Sequence, residues 1–224
     1  MGMLPLFASF LFTLSLLLSI LTNITFSTPS NDNNVLQMAN NATTTNSSQQ
    51  VNLNSYISPT HGIKIDYPSG WKPVEHQNSG YHRLNVIVEF LQPQQNNYYN
   101  STISASHNSL RLSVEDYKSF TEKLNGNTTD NQLQVIGNKR IGSIGISCPG
   151  FDLKSYVRNA TLAGNLAYEI IFDYSYLNNN KKAIEIWTIQ DSKVYIINYV
   201  ANAAIYDATL PLVHKMIESF KITT

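Results

Sequence analysis

Apolar and polar positions alternate over the last third of the chain. Between residues 167 and 176 every second side chain is apolar or aromatic, a spacing typical of a strand with one buried face. Two further apolar runs, 182–189 and 193–201, follow the short polar segments 178–180 and 190–192. Three strands joined by short turns predict an antiparallel meander.

A helix is predicted at the end of the chain, over 209–219, with Pro211 in its first turn. Four apolar residues share one face of this helix at helical spacing: Leu210, Val213, Ile217 and Phe220. A sheet followed by a helix with one apolar face must bury both faces together. The pattern therefore predicts the α+β class, with a central twisted antiparallel β-sheet flanked by helices.

Shorter strands are predicted in the first part of the folded region. Residues 62–68 alternate and stop at Pro68, which is typical of a strand. Residues 85–91 and 102–107 are two further strand candidates, and 133–141 is predicted to return to the sheet as another strand.

The first helix is predicted to begin at Ser113. Glu115 and Asp116 would lie in its opening turn, where the helix dipole favours acidic side chains, and Gly126 would suit its end. Four side chains would form its buried face: Val114, Tyr117, Phe120 and Leu124.

The chain divides into three predicted zones. Residues 3–21 are apolar and uncharged, and as a helix they would rise about 28 Å, close to the hydrocarbon thickness of a bilayer. Residues 1–27 are therefore read as an export segment, either a cleaved signal peptide or an uncleaved membrane anchor. Residues 28–55, rich in Asn, Ser, Thr and Gln, are predicted to be a flexible linker, and 56–224 the folded domain.

Charge and cysteine content restrict the functional class. Lys+Arg and Asp+Glu balance at fifteen each, so no basic stripe indicates a nucleic-acid partner. The adjacent cationic pairs, Lys139-Arg140 and Lys181-Lys182, are interpreted as solvated turn residues. One cysteine excludes an internal disulfide, so an exported form would depend on core packing.

Glycosylation sequons (Asn-x-Ser/Thr) occur beyond the export segment. Sequons arise by chance in an Asn-rich chain, but their presence beside an export segment makes their use more plausible. The candidate sites are Asn41, Asn46, Asn100, Asn127 and Asn159.

Candidate chemistry is sparse. Cys148 would be a nucleophile if a histidine reached it, but a lone cysteine is more often a small buried hydrophobe. Glu75, His76 and His82 flank a predicted loop and would hold a metal ion if they met. The five histidines are His61, His76, His82, His107 and His214. Their spacing matches no recognised metal-ligand motif, so surface positions are the simpler interpretation. No catalytic residue and no cofactor are predicted.

A weakly bound cation is the remaining metal hypothesis. Glu169 and Asp173 share a strand face because their spacing is even. An odd hairpin loop would bring Glu185 to the same face and complete an oxygen-rich site, whereas an even loop would turn Glu185 to the opposite face.

Tyrosines are abundant, and two interpretations remain open for them. They would form a recognition surface if exposed, but aromatic residues on strands usually pack in the core. The residues in question include Tyr98, Tyr99, Tyr195 and Tyr199.

Two segments carry a resemblance to a known family: 62–71, which reads GIKIDYPSGW, and 185–222, with the strand IWTI and the terminal MIESF. In these segments the chain resembles the PsbP family, the extrinsic lumenal subunit of photosystem II and its relatives outside photosynthesis. The resemblance implies an antiparallel sheet sandwiched by helices and a non-catalytic role, docking on a membrane complex and helping it retain inorganic ions. The photosystem role depends on the plant N-terminal region, which here is replaced by the Asn/Ser/Thr-rich linker.

The expected function is thus that of an exported, non-catalytic accessory module that docks to a membrane protein complex. Two alternatives remain: a thiol- or metal-dependent extracytoplasmic enzyme, and a small-ligand-binding domain.

Overall fold

The computed structural model describes residues 51–76, 85–93, 108–120 and 128–223. Within these ranges, no helix is long and apolar enough to span a bilayer. The predicted export segment, residues 1–27, lies outside them, and so does nearly all of the predicted linker.

Other predictions also fall outside the described residues. They include the strand at 102–107 and the end of the first predicted helix, with Leu124 and Gly126. The remaining ones are four glycosylation candidates (Asn41, Asn46, Asn100 and Asn127), two histidines (His82 and His107) and two tyrosines (Tyr98 and Tyr99).

The part of the chain that the structure describes contains ten strands, which form two antiparallel sheets. The ten strands are β1 (Leu53–Ser58), β2 (Ile63–Pro68), β3 (Lys72–Glu75), β4 (Val86–Leu91), β5 (Ser109–Asp116), β6 (Asp152–Leu162), β7 (Asn165–Tyr176), β8 (Asn179–Gln190), β9 (Lys193–Asn202) and β10 (Lys221–Ile222). The large sheet has the order β3-β4-β5-β9-β8-β7-β6, and the small sheet has the order β1-β2-β10. Among the described residues, two α-helices pack against these sheets: α1 (Thr129–Ser147) and α2 (Ala203–Ser219).

Strands β7–β9 confirm the predicted three-strand meander, and β6, which the sequence did not predict, extends it by one strand. Its three hairpins turn through two residues each, and all six turn residues have positive φ: Ala163, Gly164, Leu177, Asn178, Asp191 and Ser192. Positive φ at both central positions is the geometry that best matches the twist of paired strands. The middle turn is Leu177–Asn178 rather than the predicted 178–180, so β8 already begins at Asn179.

The two faces of the large sheet are covered differently. One face packs against α2 and β2, whose inward side chains include Ile63, Ile65, Val213 and Met216. The other face packs against α1 through a second apolar cluster that contains Leu133, Ile136, Tyr168, Ile170 and Trp187. The α+β class and the helix–sheet–helix layering are therefore confirmed, with a small sheet added beside α2.

The helix predicted from Ser113 is wrong. Residues 109–116 form β5, between β4 and β9, and the 3₁₀ turn Tyr117–Ser119 follows it. Leu110, Leu112 and Val114 alternate toward the α2 side, a period of two that the acidic residues after Ser113 obscured.

The strand predicted at 133–141 is also wrong, because this segment lies inside α1. Thr128 caps the helix by accepting a hydrogen bond from the Asn131 N–H. Gly137 permits a close approach to the sheet, since a Cβ there would lie 3.1 Å from Cζ2 of Trp187. Tertiary packing therefore overrides the weak helix propensity of this Gly- and Ile-rich segment.

The closing helix is confirmed in type but not in its start. α2 begins at Ala203, so Pro211 lies inside the helix rather than in its first turn. Val213, Ile217 and Phe220 are buried as predicted, whereas Leu210 is half-buried.

Candidate functional site: a buried polar row across the sheet

Four polar residues stand side by side on neighbouring strands of the large sheet. The strand register pairs Glu89 with Arg111, Arg111 with Asn198, and Asn198 with Glu185. Arg140 of α1 contacts Glu185 from above the sheet. We call these five residues the polar row.

The Glu185 end of the row is a bidentate ion pair. Nε and Nη2 of Arg140 donate to the two carboxylate oxygens of Glu185 at 2.6 and 2.7 Å, and Nδ2 of Asn198 donates to the same carboxylate at 3.2 Å. The side chains of Arg140 and Glu185 are only 11% and 1% exposed. Burial alone would lower the pKa of Arg140, but the Glu185 carboxylate raises it above its usual value. Arg140 therefore stays charged in the interior, where it is bonded to the Glu185 carboxylate.

The Glu89 end is a second buried carboxylate with several partners. The Ser109 hydroxyl donates to it at 2.6 Å and Nε of Arg111 donates at 2.9 Å, while Nε2 of His76 lies 3.4 Å away. Burial alone would raise the pKa of Glu89, but Arg111, the Ser109 hydroxyl and His76 hold it below its usual value. The carboxylate is thus ionised and bound within the fold.

The charged groups of the polar row point at one another. Each carboxylate receives donors from two or more side chains, an arrangement that satisfies buried charge and fixes relative positions. Through Arg140 the row joins α1 to the sheet. Its chemistry is that of a structural network.

Sequence reasoning missed this row. The prediction that Arg140 is a solvated turn residue is wrong, because it lies in α1 and its side chain is largely buried. The same prediction is wrong for Lys181, which lies on β8 and is only 2% exposed. A single glutamate inside the apolar run 183–187 was the available signal, because an isolated charge there requires a buried partner.

The predicted cation site is not assembled. The two-residue turn between β7 and β8 places Glu185 opposite Ile170 and Glu169 opposite Ile186, so Glu185 and Glu169 point to opposite faces. Asp173 instead lies 3.7 Å from Nζ of Lys154. Even turn length is the physical reason that this three-carboxylate hypothesis is wrong.

The described histidines have separate surroundings. Nδ1 of His61 lies 2.9 Å from the Ser58 hydroxyl, His76 contacts Glu89, and His214 is exposed on α2. Glu75, predicted to meet a metal with His76, accepts a hydrogen bond from the Tyr56 hydroxyl at 3.0 Å. Among the described residues, no three potential metal-ligating side chains cluster.

Cys148 caps the C-terminal end of α1 and is half-buried. Burial raises the pKa of its thiol, and the nearby Glu185 carboxylate raises it further, while Arg140 partly offsets the shift. These surroundings disfavour the thiolate, the reactive form of cysteine. A nucleophilic role is therefore poorly supported by its environment.

We expect native Cys148 to react with a maleimide at neutral pH at least about tenfold more slowly than glutathione does. The reason is its raised pKa together with its partial burial. Labelling followed by intact-mass spectrometry measures the rate, and the unfolded chain in guanidinium serves as the accessible control. A native rate equal to that of glutathione would contradict the environment described for this thiol.

Of the four tyrosines named in the sequence analysis, the two that lie within the described residues belong to the core. Tyr195 and Tyr199 are almost fully buried on β9, and Tyr199 stacks on Tyr206 of α2 with ring centroids 5.6 Å apart. For these two residues the core interpretation is confirmed, and the recognition-surface interpretation is wrong.

Two surface features remain. Asn159 is exposed on β6, the edge strand of the large sheet, where the register with β7 shifts. A polar depression of about 280 Å³ lies elsewhere, lined by His61, Asn85, Val114, Glu115, Asp116, Ser119 and Lys193. One of its carboxylates, that of Glu115, already accepts a hydrogen bond from the Asn85 backbone N–H.

Comparison with known proteins identifies the family. The family model described as PsbP matches residues 51–222, which is most of the chain. The chain belongs to the PsbP family. No curated protein sequence matches it.

Solved structures agree at the level of fold. Cyanobacterial PsbP (CyanoP) from Synechocystis sp. PCC 6803 aligns with a TM-score of 0.53 and 15% identity, covering 79% of this chain and 95% of that one. LpqN of Mycobacterium tuberculosis, described as involved in cell envelope biogenesis, aligns with a TM-score of 0.49 and 16% identity, covering 78% and 92%. The family model and the alignment with cyanobacterial PsbP confirm the PsbP resemblance and the α+β fold expected from the sequence.

Proposed function

We propose that this PsbP-family chain is an exported, non-catalytic accessory module that docks to a protein complex at the outer face of a membrane. Membership of the PsbP family over residues 51–222 is the observation that carries this proposal. The family resemblance implies a binding role on a membrane complex rather than turnover of a substrate.

The chemistry of the described side chains is consistent with a binding module. Glu89 and Glu185, the most buried carboxylates described, are held by arginines inside the fold. The environment of Cys148 disfavours its thiolate. The alternative of a thiol-dependent enzyme would need a reactive thiolate, so this residue environment favours the accessory role.

The predicted zones of the chain support placement at a membrane surface. Residues 1–27 would direct export or remain as an anchor, and the predicted linker 28–55, whose last three residues already belong to β1, would connect them to the folded body. A flexible linker of this length has a root-mean-square span of about 30 Å. That span would let the body reach the extramembrane part of a neighbouring protein, and exposed Asn159 would be accessible to glycosylation in a cell that performs it.

The location can be tested in the source cell with the full chain. We expect the protein to stay with the membrane fraction and to be digested by protease added outside intact cells. A form that is protected until the membrane is opened would contradict export to the outer face. A cytoplasmic protein probed on the same blot provides the control for cell integrity.

Docking can be tested by mild crosslinking of native membranes, followed by purification of the chain and identification of its covalent partners. We expect one membrane complex to be recovered in constant proportion. The matched control omits the crosslinker. Recovery of the chain with no membrane protein in reproducible proportion would contradict docking. Turnover of a substrate that is lost in Cys148→Ala would instead establish the enzyme alternative.

A further inference from the structure

The edges of the two sheets differ in how they are protected against pairing with another strand. Charged side chains, prolines, short length and bulges are the usual protections of an edge. β3 is short and contains Lys72, Pro73 and Glu75, whereas β10 has only two residues. β6 carries Asp152, Lys154 and Arg158 and shifts register twice against β7.

β1 has none of these protections. It reads LNSYIS, pairs with β2 without a register shift, and is the outer strand of the small sheet among the described strands. Two apolar side chains on β1 are exposed, Leu53 by 45% and Ile57 by 58%, and Val51 just before the strand is 41% exposed. We propose that this edge pairs antiparallel with β1 of a second copy of the chain. This inference does not depend on the proposed function.

Backbone groups on the free side of β1 can be assigned from its pairing with β2. Leu53 is opposite Pro68, which has no N–H, and Asn52 accepts a hydrogen bond from the Ser69 N–H. Hydrogen-bonded and non-hydrogen-bonded pairs alternate along an antiparallel ladder. The outward backbone groups therefore belong to Leu53, Ser55 and Ile57.

The β1 sequence is complementary to itself about Ser55. In an antiparallel pair with Ser55 opposite Ser55 of the second copy, Leu53 of each chain lies opposite Ile57 of the other. Both apolar residues are exposed in the single chain, so pairing covers them. β1 contains no charged residue, so pairing brings no like charges together.

Because the contact between the two strands is small, only a weak association of the two copies is expected. One six-residue strand from each chain buries far less than the 1,200–2,000 Å² that is typical of stable complexes. The self-complementary sequence of β1 gives this contact its specificity.

Cysteine crosslinking of the full chain in mild detergent tests the pairing, in a Cys148→Ala background. We expect Ser55→Cys to form a disulfide-linked dimer under mild oxidation on the order of tenfold faster than Ile146→Cys, an 81%-exposed control on α1. Paired residues at hydrogen-bonded positions have Cα atoms about 5.5 Å apart, which suits a disulfide.

Mixing single variants tests the two-fold centre. Leu53→Cys and Ile57→Cys should crosslink with each other faster than either does with itself, because equivalent Leu53 residues would lie about 14 Å apart. Adding Ile57→Lys to Ser55→Cys should reduce the dimer yield to that of the Ile146→Cys control. Equal rates for Ser55→Cys and Ile146→Cys, or preferred self-linking of Leu53→Cys, would overturn the proposal.

Discussion

Arg140→Ala is expected to lower the free energy of unfolding by about 3–5 kcal/mol, the usual cost of breaking a buried ion pair by removing one partner. Glu185, with its side chain 1% exposed, would be left in the interior without the guanidinium that now donates two hydrogen bonds to it. Urea unfolding followed by tryptophan fluorescence measures the change, since Trp187 lies two residues along the same strand.

Two further variants identify the cause of this loss. Lys139→Ala, at the exposed neighbouring position on α1, should change the free energy of unfolding by less than about 0.5 kcal/mol. Replacing both partners, Arg140→Met with Glu185→Leu, should recover most of the stability, because the unpaired charge is gone. Equal losses for Arg140→Ala and Lys139→Ala would show that the ion pair is not buried as described.

Gly62→Ala should be destabilising by about 2–4 kcal/mol. Gly62 has φ of +60°, a conformation that L side chains rarely adopt, and a Cβ there would lie 2.6 Å from the backbone oxygen of Thr223. The Thr223 N–H donates to the Gly62 oxygen at 2.7 Å, so the chain end cannot move away without losing this bond. The same unfolding experiment measures the effect.

Gly164→Ala is the matched control for Gly62. Gly164 also has positive φ, +79°, but a Cβ there would meet nothing within 4 Å. Only the backbone strain of about 1–2 kcal/mol should then remain. If the two alanine variants lose equal stability, the close contact with Thr223 does not contribute to the loss of unfolding free energy in Gly62→Ala.

The β-meander was predictable because its physics is local. Alternating side chains over 167–176 and polar turns at regular intervals specify hairpins without reference to the rest of the chain. The segments around Ser113 and over 133–141 were mistaken because tertiary contacts decide them. The segment around Ser113 is a strand because it lies between β4 and β9 in the sheet. The segment 133–141 is helical because it packs against Trp187, which outweighs its local propensity.

The polar row could not be derived from sequence for a different reason. The face that Glu185 occupies depends on whether the preceding turn has an odd or even number of residues, and the run of asparagines at 178–180 leaves that choice open. Its partner Arg140 comes from a segment predicted to be a strand. The ion pair between Arg140 and Glu185 can be inferred only when the position of α1 over β8 is known.

The two-residue turns of the meander also bear on the order of folding. The strands β6 to β9 meet neighbours that are adjacent in the chain, so their loops close at little entropic cost and on the microsecond timescale of hairpins. β5 must instead find β9 across α1 and three strands, and β10 must find β2 across nearly the whole domain. These two distant pairings should therefore set the folding rate.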